Sequence, residues 1–423
     1  MKKVPLCKPY YCDKEWKAVK EVIDSGMVAA GSVADDFDRR LASYCGVKYA
    51  ISTNSCTSAL QLALMAYDIK EGEVVTSDYT FTSSAMVAHM VGSAPRLVDI
   101  QADTRNIDPD LIKCNGTTRA IIPVDYGGHP CDYDKLNKIG KENDVPIIAD
   151  AAHSIGAKYK KRKVGGLCDT TCFSFHGTKN LAIGEGGAVL TNDTDVYEKI
   201  VFLRDCGTSL KKKYSEVPWY YNTISKGMSL LLPNTCAAIG LVQLEKLDKI
   251  NKLRRENSNY LSGLLEDVEG LILPVERDYV QTNHHLYTIL LEDPTMRNCF
   301  IAEMSKLGIQ CDVHYLPLHL HPFYRENHYN RGDFPVSEAV YNCLVTLPMY
   351  PGMTEDDLNY IAFSIENIMS SLYCDPNRPL ETVRASRGKL RRAGGLTGRL
   401  CGARARASVK GAKKKKKQQR KAK

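Results

Sequence analysis

The chain has no uninterrupted apolar run approaching the roughly 18 residues that a membrane-crossing helix requires. Its opening, MKKVPLCKPYYCDKEW, lacks the apolar stretch of a secretory leader. No internal repeat recurs at solenoid spacing, which excludes a repeat array. These absences predict a cytoplasmic protein with no membrane partner. Acidic residues are nearly missing from one end: residues 377–423 hold 18 lysines and arginines against a single acid, Glu381. That segment carries +17, so the net +8 of the whole chain leaves residues 1–376 at −9. It also lacks hydrophobic periodicity, which predicts a disordered basic tail on an acidic folded body.

A disulfide framework is lacking as well. The 15 cysteines are scattered through a long chain without an export signal and read as reduced, mostly buried thiols. Cys168, Cys172 and His176 have a tempting metal-like spacing, but they lie in a strand-like stretch, CDTTCFSFH. At a rise of ~3.3 Å per residue each stands ~13 Å from the next along the backbone, too far to share one ion. No metal is expected.

What is present is an ordinary globular composition, 43% hydrophobic and 25% charged, over a length suited to two domains. From Lys48 to about Val189 short apolar runs alternate with helical patterns: KYAIST, CTSALQLALMAYDI, EVVTS, APRLVDI, RAIIPVDY and VPIIAD. Such alternation predicts βαβ units and a mainly parallel sheet, an α/β fold. A long amphipathic helix from Asn234 to about Leu264 leads to a smaller α+β region containing LYTILLE, GIQCDVHY, LVTLP and a last helix, TEDDLNYIAFSIENIMSSLY. The expected division is residues 1–245, 246–376 and the tail 377–423.

In open α/β sheets ligands bind at the carboxyl ends of strands, so the turns there carry the candidate chemistry. In DTTCFSFHGTKNLAIGEGGAVLTN a strand leads into a turn bearing Lys179. A lysine projecting from such a turn into a cleft has its pKa lowered, which frees the amine for covalent chemistry; otherwise it is a solvated surface charge. Asp150 ends the buried-looking run VPIIAD and needs a cationic or hydrogen-bonding partner, such as a pyridinium nitrogen, unless it merely caps its turn. His153 follows three residues on. NSCTSAL starts a helix with small residues, Cys56 and Thr57 among them, whose amides suit a phosphate or an ordinary cap. Ser174 can add a hydroxyl to the same phosphate. Phe81, in DYTFTSS, is a stacking ring or a core residue.

The order of phosphate cup, ring, Asp after a strand, then Ser and Lys five apart resembles the fold-type I pyridoxal-phosphate enzymes. Within them the chain resembles the DegT/StrS family of nucleotide-sugar aminotransferases from VPLCKPY to about Tyr373. The most specific pieces are IADAAHSIGAKYKKRKVGG, FSFHGTKNLAIGEGGAVLTND, AAIGLVQLEKL, HYLPLHLHPFY and LPMYPGMTEDD. The resemblance implies pyridoxal 5'-phosphate as cofactor, held by Lys179, with Asp150 at the pyridine nitrogen and His153 at the phenolic oxygen. It implies Ser174, Cys56 and Thr57 at the phosphate, Phe81 against the ring, Tyr315 facing the substrate, and His319 either facing the substrate or serving the fold.

It further implies a homodimer with shared sites that moves an amino group from an amino acid, glutamate, to a keto sugar on a nucleoside diphosphate. Where most relatives have Asn before the long helix, this chain has Ser229, which points to the subgroup acting at C4 of 4-keto-6-deoxy sugars. GTSLKKKYSEVPWYY resembles that subgroup too, and Cys206 stands where His is common. The alternatives are amination at C3, or a dehydratase of the same family, which has His where this chain has Lys179. A reading of another class assigns the basic tail to nucleic acid or another polyanion.

Overall fold

The computed structural model describes residues 2–209, 219–326 and 329–373. The tail 377–423 and most of GTSLKKKYSEVPWYY therefore lie outside the described residues. No helix among the described residues is long and apolar enough to cross a membrane.

Seven strands form the central sheet: β1 (Tyr49–Thr53), β2 (Glu73–Ser77), β3 (Ala94–Val98), β4 (Thr118–Ile122), β5 (Ile148–Asp150), β6 (Thr170–Ser174) and β7 (Gly187–Thr191). Hydrogen-bonded ladders give the orders β3-β2-β4 and β5-β6-β7-β1. Parallel bridges from Ile121 to Ile147 and from Val124 to Asp150 join them edge to edge. Only β7 runs against its neighbours. The expected mainly parallel sheet is thus present.

Both faces of this sheet are covered, which is why its strands read as continuous apolar runs. Successive strand residues point to opposite sides: Val74, Ile122, Ile148, Cys172 and Val189 enter one core, while Val75, Ile121, Ala149, Phe173 and Leu190 enter the other. Helices α3 (Cys56–Ala66), α4 (Ser83–Met90) and α6 (Thr194–Leu203) pack on the first side; α2 (Ser32–Cys45), α5 (Tyr133–Asn143) and the start of α7 (Asn234–Leu265) pack on the second.

Helix α7 is unbroken across residues 245 and 246. Its Ala237, Leu244 and Leu247 lie in the large core, and its Leu261 and Leu265 lie in a separate small core. That second core also holds Tyr287, Ile289 and Leu291 of an antiparallel sheet. Phe300 and Met304 of α8 (Arg297–Lys306) and Ile361 and Ile365 of the last helix, Glu355–Tyr373, complete it. Val4 is buried in the small core and bridges to Ile309, so the N-terminal segment begins there before α1 (Asp13–Ser25) packs along α7.

Candidate active site

Register sets the floor of the site. Asp150 pairs with Cys172, and Ser174 and Thr53 both pair with Gly187. The ends of β1, β5 and β6 and the start of β7 therefore meet at one edge of the sheet. Gly187 is needed there, because a Cβ on it would sit 2.5 Å from the Cys56 nitrogen. That closeness presses the start of α3 against the sheet. Ser55 caps this helix by accepting from the Ser58 amide at 3.1 Å. The first N–H groups of a helix have no partner within it, so those of Cys56 and Thr57 point at whatever lies before the helix.

A cavity of about 530 Å³ opens at this edge, lined by Cys56, Thr57, Phe81, Asp150, His153, Ser174, Lys179 and Tyr315, among others. The residues expected at the cofactor from within one subunit are thereby brought together. Lys179 stands on an excursion between β6 and β7 pinned by the backbone: the Phe175 amide donates to Gly186 at 2.8 Å, Gly177 to Gly184 at 2.8 Å, and Lys179 to His176 at 2.9 Å. Burial brings its pKa down to about 8, against the opposing pull of Asp150, Cys56 and Cys7. Phe81 is exposed, with its ring in the cavity wall 6.1 Å from that of Tyr315.

Asp150 is buried, and burial raises its pKa although the charge of Lys179 and three hydrogen-bonding groups support its own charge. Ser84 Oγ donates to its Oδ2 at 2.7 Å, the Ala152 amide to its Oδ1 at 3.1 Å, and the Cys56 thiol approaches at 3.9 Å. A buried carboxyl still short of compensation is suited to a cationic ring nitrogen. His153 is also buried, and burial holds its pKa well below the ordinary value, so the ring is neutral. Its Nδ1 accepts from the Gly127 amide at 3.2 Å. The proton is therefore on Nε2, which donates to the Tyr315 hydroxyl at 3.2 Å. Pocket size, helix start, buried acid, desolvated amine and a histidine with a donor N–H together fit pyridoxal phosphate.

Of the two readings of His319, the substrate-facing one fails. His319 does not line the cavity and does not face a substrate there. It is fully buried, with Nδ1 2.8 Å from Asp78 Oδ2, Nε2 3.0 Å from Glu338 Oε1, and its amide donating to Asp78 Oδ1 at 2.9 Å. Both ring nitrogens are spent on the fold. Ser229 is exposed, bridges to Asp205 and stands outside the cavity of its own chain. Cys206 is exposed and takes a left-handed backbone, φ 55°, with its amide donating to Met228 at 3.1 Å.

Sequence reading missed Ser84, Leu6, Cys7, His285, His314 and Glu185. The last five line the cavity. Their only signal was polarity or position in a turn, and nothing local ties Cys7 to a lysine so distant along the chain.

A sheet edge that joins a desolvated lysine to a buried aspartate below a helix start defines the fold-type I class of pyridoxal-phosphate enzymes. Residues 10–366 match the DegT/DnrJ/EryC1/StrS aminotransferase family, and the chain belongs to it. It is 40% identical over 377 residues to the uncharacterised protein MJ1066 of Methanocaldococcus jannaschii, covering 87% of this chain and 98% of that one. It is 34% identical to the spore coat polysaccharide biosynthesis protein SpsC of Bacillus subtilis (86% and 97% covered). A Campylobacter jejuni UDP-4-amino-4,6-dideoxy-N-acetyl-β-L-altrosamine transaminase is 31% identical (85% and 95% covered).

Among solved structures, Helicobacter pylori PseC, an aminotransferase involved in the biosynthesis of pseudoaminic acid, superposes with a TM-score of 0.82 at 28% identity, covering 88% of this chain and all of that one. Spr1654 of Streptococcus pneumoniae, solved in its PLP form, superposes at 0.83 with 27% identity and the same coverage. Its PMP form is equally similar, at 0.84. The protein is a sugar aminotransferase that uses pyridoxal phosphate.

Proposed function

We propose that the protein transfers an amino group from an amino acid, glutamate, to the keto carbon of a 4-keto-6-deoxy sugar carried on a nucleoside diphosphate. One observation carries the reading: the desolvated Lys179 amine and the buried Asp150 carboxyl share one cavity. When bound, pyridoxal phosphate supplies an electron sink that works while its pyridine nitrogen stays protonated. Asp150 keeps that proton in place. His153 Nε2–H is the donor available to the phenolic oxygen. The amides of Cys56 and Thr57 and the Ser174 hydroxyl hold the phosphate, and Phe81 packs against the ring. Lys179 would hold the cofactor through its amine and, once freed, would move a proton at the α-carbon of the amino acid, a role for which a pKa brought down to about 8 suits it near neutral pH.

With His153 Nε2–H given to the phenolic oxygen, the adjacent Tyr315 hydroxyl keeps its own proton to donate to a substrate oxygen. Amination at C4 is supported by the name of the Campylobacter jejuni relative, a transaminase of a 4-amino-4,6-dideoxy sugar nucleotide, and by Ser229. The active unit is a cytoplasmic homodimer in which Ser229 of each chain serves the other's cavity. Two measurements test the reading. The purified protein is yellow, and after borohydride reduction the peptide containing Lys179 gains the mass of a pyridoxyl phosphate group. Nucleotide-linked 4-keto-6-deoxy sugars then accept nitrogen from labelled glutamate. Label on another lysine, or turnover only of 3-keto sugars, overturns the assignment.

A further inference from the structure

A second buried histidine stands in the cavity wall. His285 is 7% exposed, and its ring centroid lies 4.5 Å from that of His153. Its Nδ1 is 3.2 Å from Oδ1 of Asn180, the residue that follows Lys179. Which atom of the Asn180 amide faces the ring is fixed by what lies behind it. Asn180 Nδ2 donates to Asn251 Oδ1 at 2.8 Å and to the Asn283 carbonyl at 3.2 Å, so only the oxygen is left for His285. Asn251 is fixed the same way, because its Nδ2 donates to the Ile155 carbonyl at 3.1 Å. Asn283 closes the frame: its Nδ2 donates to the carbonyls of His153 and Ile155 at 2.9 Å each, and its Oδ1 accepts the His285 amide at 3.1 Å. All three asparagines are buried.

An amide oxygen only accepts, so the His285 proton is on Nδ1. Burial first, and then the charge of Lys179, push its pKa well below the ordinary value, so the ring is neutral and Nε2 is a bare lone pair. His153, its neighbour, has the opposite tautomer. None of the described hydrogen bonds uses His285 Nε2, and none uses the Lys179 amine. They are an unmatched acceptor and an unmatched donor in one cavity, and of the charges acting on the His285 ring that of Lys179 is the largest.

We propose that His285 is a positioning residue for Lys179: its Nε2 accepts a hydrogen bond from the lysine amine whenever that amine is free, and Asn180 sets the tautomer that allows it. Both residues line the same cavity, and the four-carbon stem of lysine is flexible. A neutral acceptor orients the amine without adding the negative charge that would return its pKa to the surface value. The other groups acting on this pair are Asp150, Cys56 and Cys7 toward Lys179, and His153, Arg254 and His314 toward His285.

The proposal rests on Lys179 being the reactive amine, and the test separates the two. In the full chain stripped of cofactor, the rate at which acetic anhydride modifies Lys179 is followed against pH by peptide mass spectrometry. The wild type titrates well below the usual lysine value of about 10.4. An acceptor stabilises an ammonium more than an amine, so His285→Leu lowers the Lys179 midpoint by about one unit, the loss of one hydrogen bond to a charged donor. His285→Gln offers an amide oxygen and retains the wild-type midpoint. Equal midpoints in all three proteins, or equal shifts in both variants, overturn the role of His285. A wild-type midpoint near that of a surface lysine overturns the reading of Lys179, and the proposal with it. Independently of any variant's folding, histidine labelled with nitrogen-15 in the wild-type chain shows His285 protonated on Nδ1; protonation on Nε2 overturns the proposal.

Discussion

The Ser84 hydroxyl donates to Asp150 Oδ2 across 2.7 Å, so the first turn of α4 holds the carboxylate at the end of β5. Burial works against that charge, and the bond from Ser84 is the largest single force favouring it. Asp150→Asn should therefore lower turnover by orders of magnitude without altering the oligomer, because an amide cannot keep the pyridine nitrogen protonated. Ser84→Ala should be milder. It removes one hydrogen bond to a charged acceptor, worth about 1.5 kcal/mol, and should weaken cofactor retention roughly tenfold. Equilibrium dialysis of the cofactor and steady-state rates measure both, and unchanged turnover in Asp150→Asn would mean that Asp150 only caps its turn.

Lys179 makes the stability of the cofactor-free protein depend on pH in a definite direction. Its folded pKa is brought down to about 8 from an unfolded value near 10.5. Between those values the unfolded chain binds more protons than the native one, so stability rises with pH from about 8 to about 10.5. Below that window the full penalty is present, on the order of 3 kcal/mol. Lys179→Met removes this contribution. The difference in denaturant midpoint between the two proteins should thus shrink as pH rises through the window. Lys179→Ala should also abolish transamination while the fold and some cofactor binding persist, since Asp150 and the start of α3 remain; near wild-type turnover would sink the assignment.

Buried Asp78 and His319, with half-buried Glu338, make the opposite prediction. Burial lowers the His319 pKa, but the hydrogen bonds and charges of Asp78 and Glu338 outweigh it and the net shift is upward. A raised folded pKa contributes stability that is complete below the unfolded value, about 6.5, and is lost as pH rises through the folded one. His319→Asn should lower the melting temperature more at pH 6 than at pH 9. It should leave the KM for the sugar nucleotide close to that of wild type. A raised KM with unchanged melting would return His319 to the substrate.

Much of this site was legible in the sequence because its parts end consecutive strands. The runs VPIIAD and TTCFSF put Asp150 and Ser174 at the same sheet edge as soon as the βαβ order is read, and Lys179 follows on the next turn. His319 was misread because HYLPLH presents two candidates within five residues, and sequence spacing does not reveal that Tyr315 turns into the cavity while His319 turns to Asp78. Ser84 was overlooked because its meaning depends on α4 lying over β5, a relation between elements 66 residues apart. The N-terminal segment escaped for the same reason: Leu6 and Cys7 reach the cavity because Val4 is anchored in the small core and the Met349 amide donates to the Leu6 carbonyl.

Ser229 offers the sharpest test of the proposal that two subunits share each site. It is exposed in its own chain and stands outside that chain's cavity, yet it is held by a backbone bridge to Asp205 rather than on a loose loop. If its hydroxyl reaches the phosphate bound by a partner subunit, Ser229→Ala should weaken cofactor retention by about 1 kcal/mol, the net worth of one hydrogen bond, and by more with a charged acceptor. Ser229→Asn should restore or tighten retention, because its amide reaches further and still donates. Cofactor dissociation constants for the three proteins, with sedimentation to establish the oligomer, measure this directly. A monomer fully active at assay concentration overturns the shared site. A dimer indifferent to both substitutions removes Ser229 from it and leaves the phosphate to Ser174 and the amides of Cys56 and Thr57.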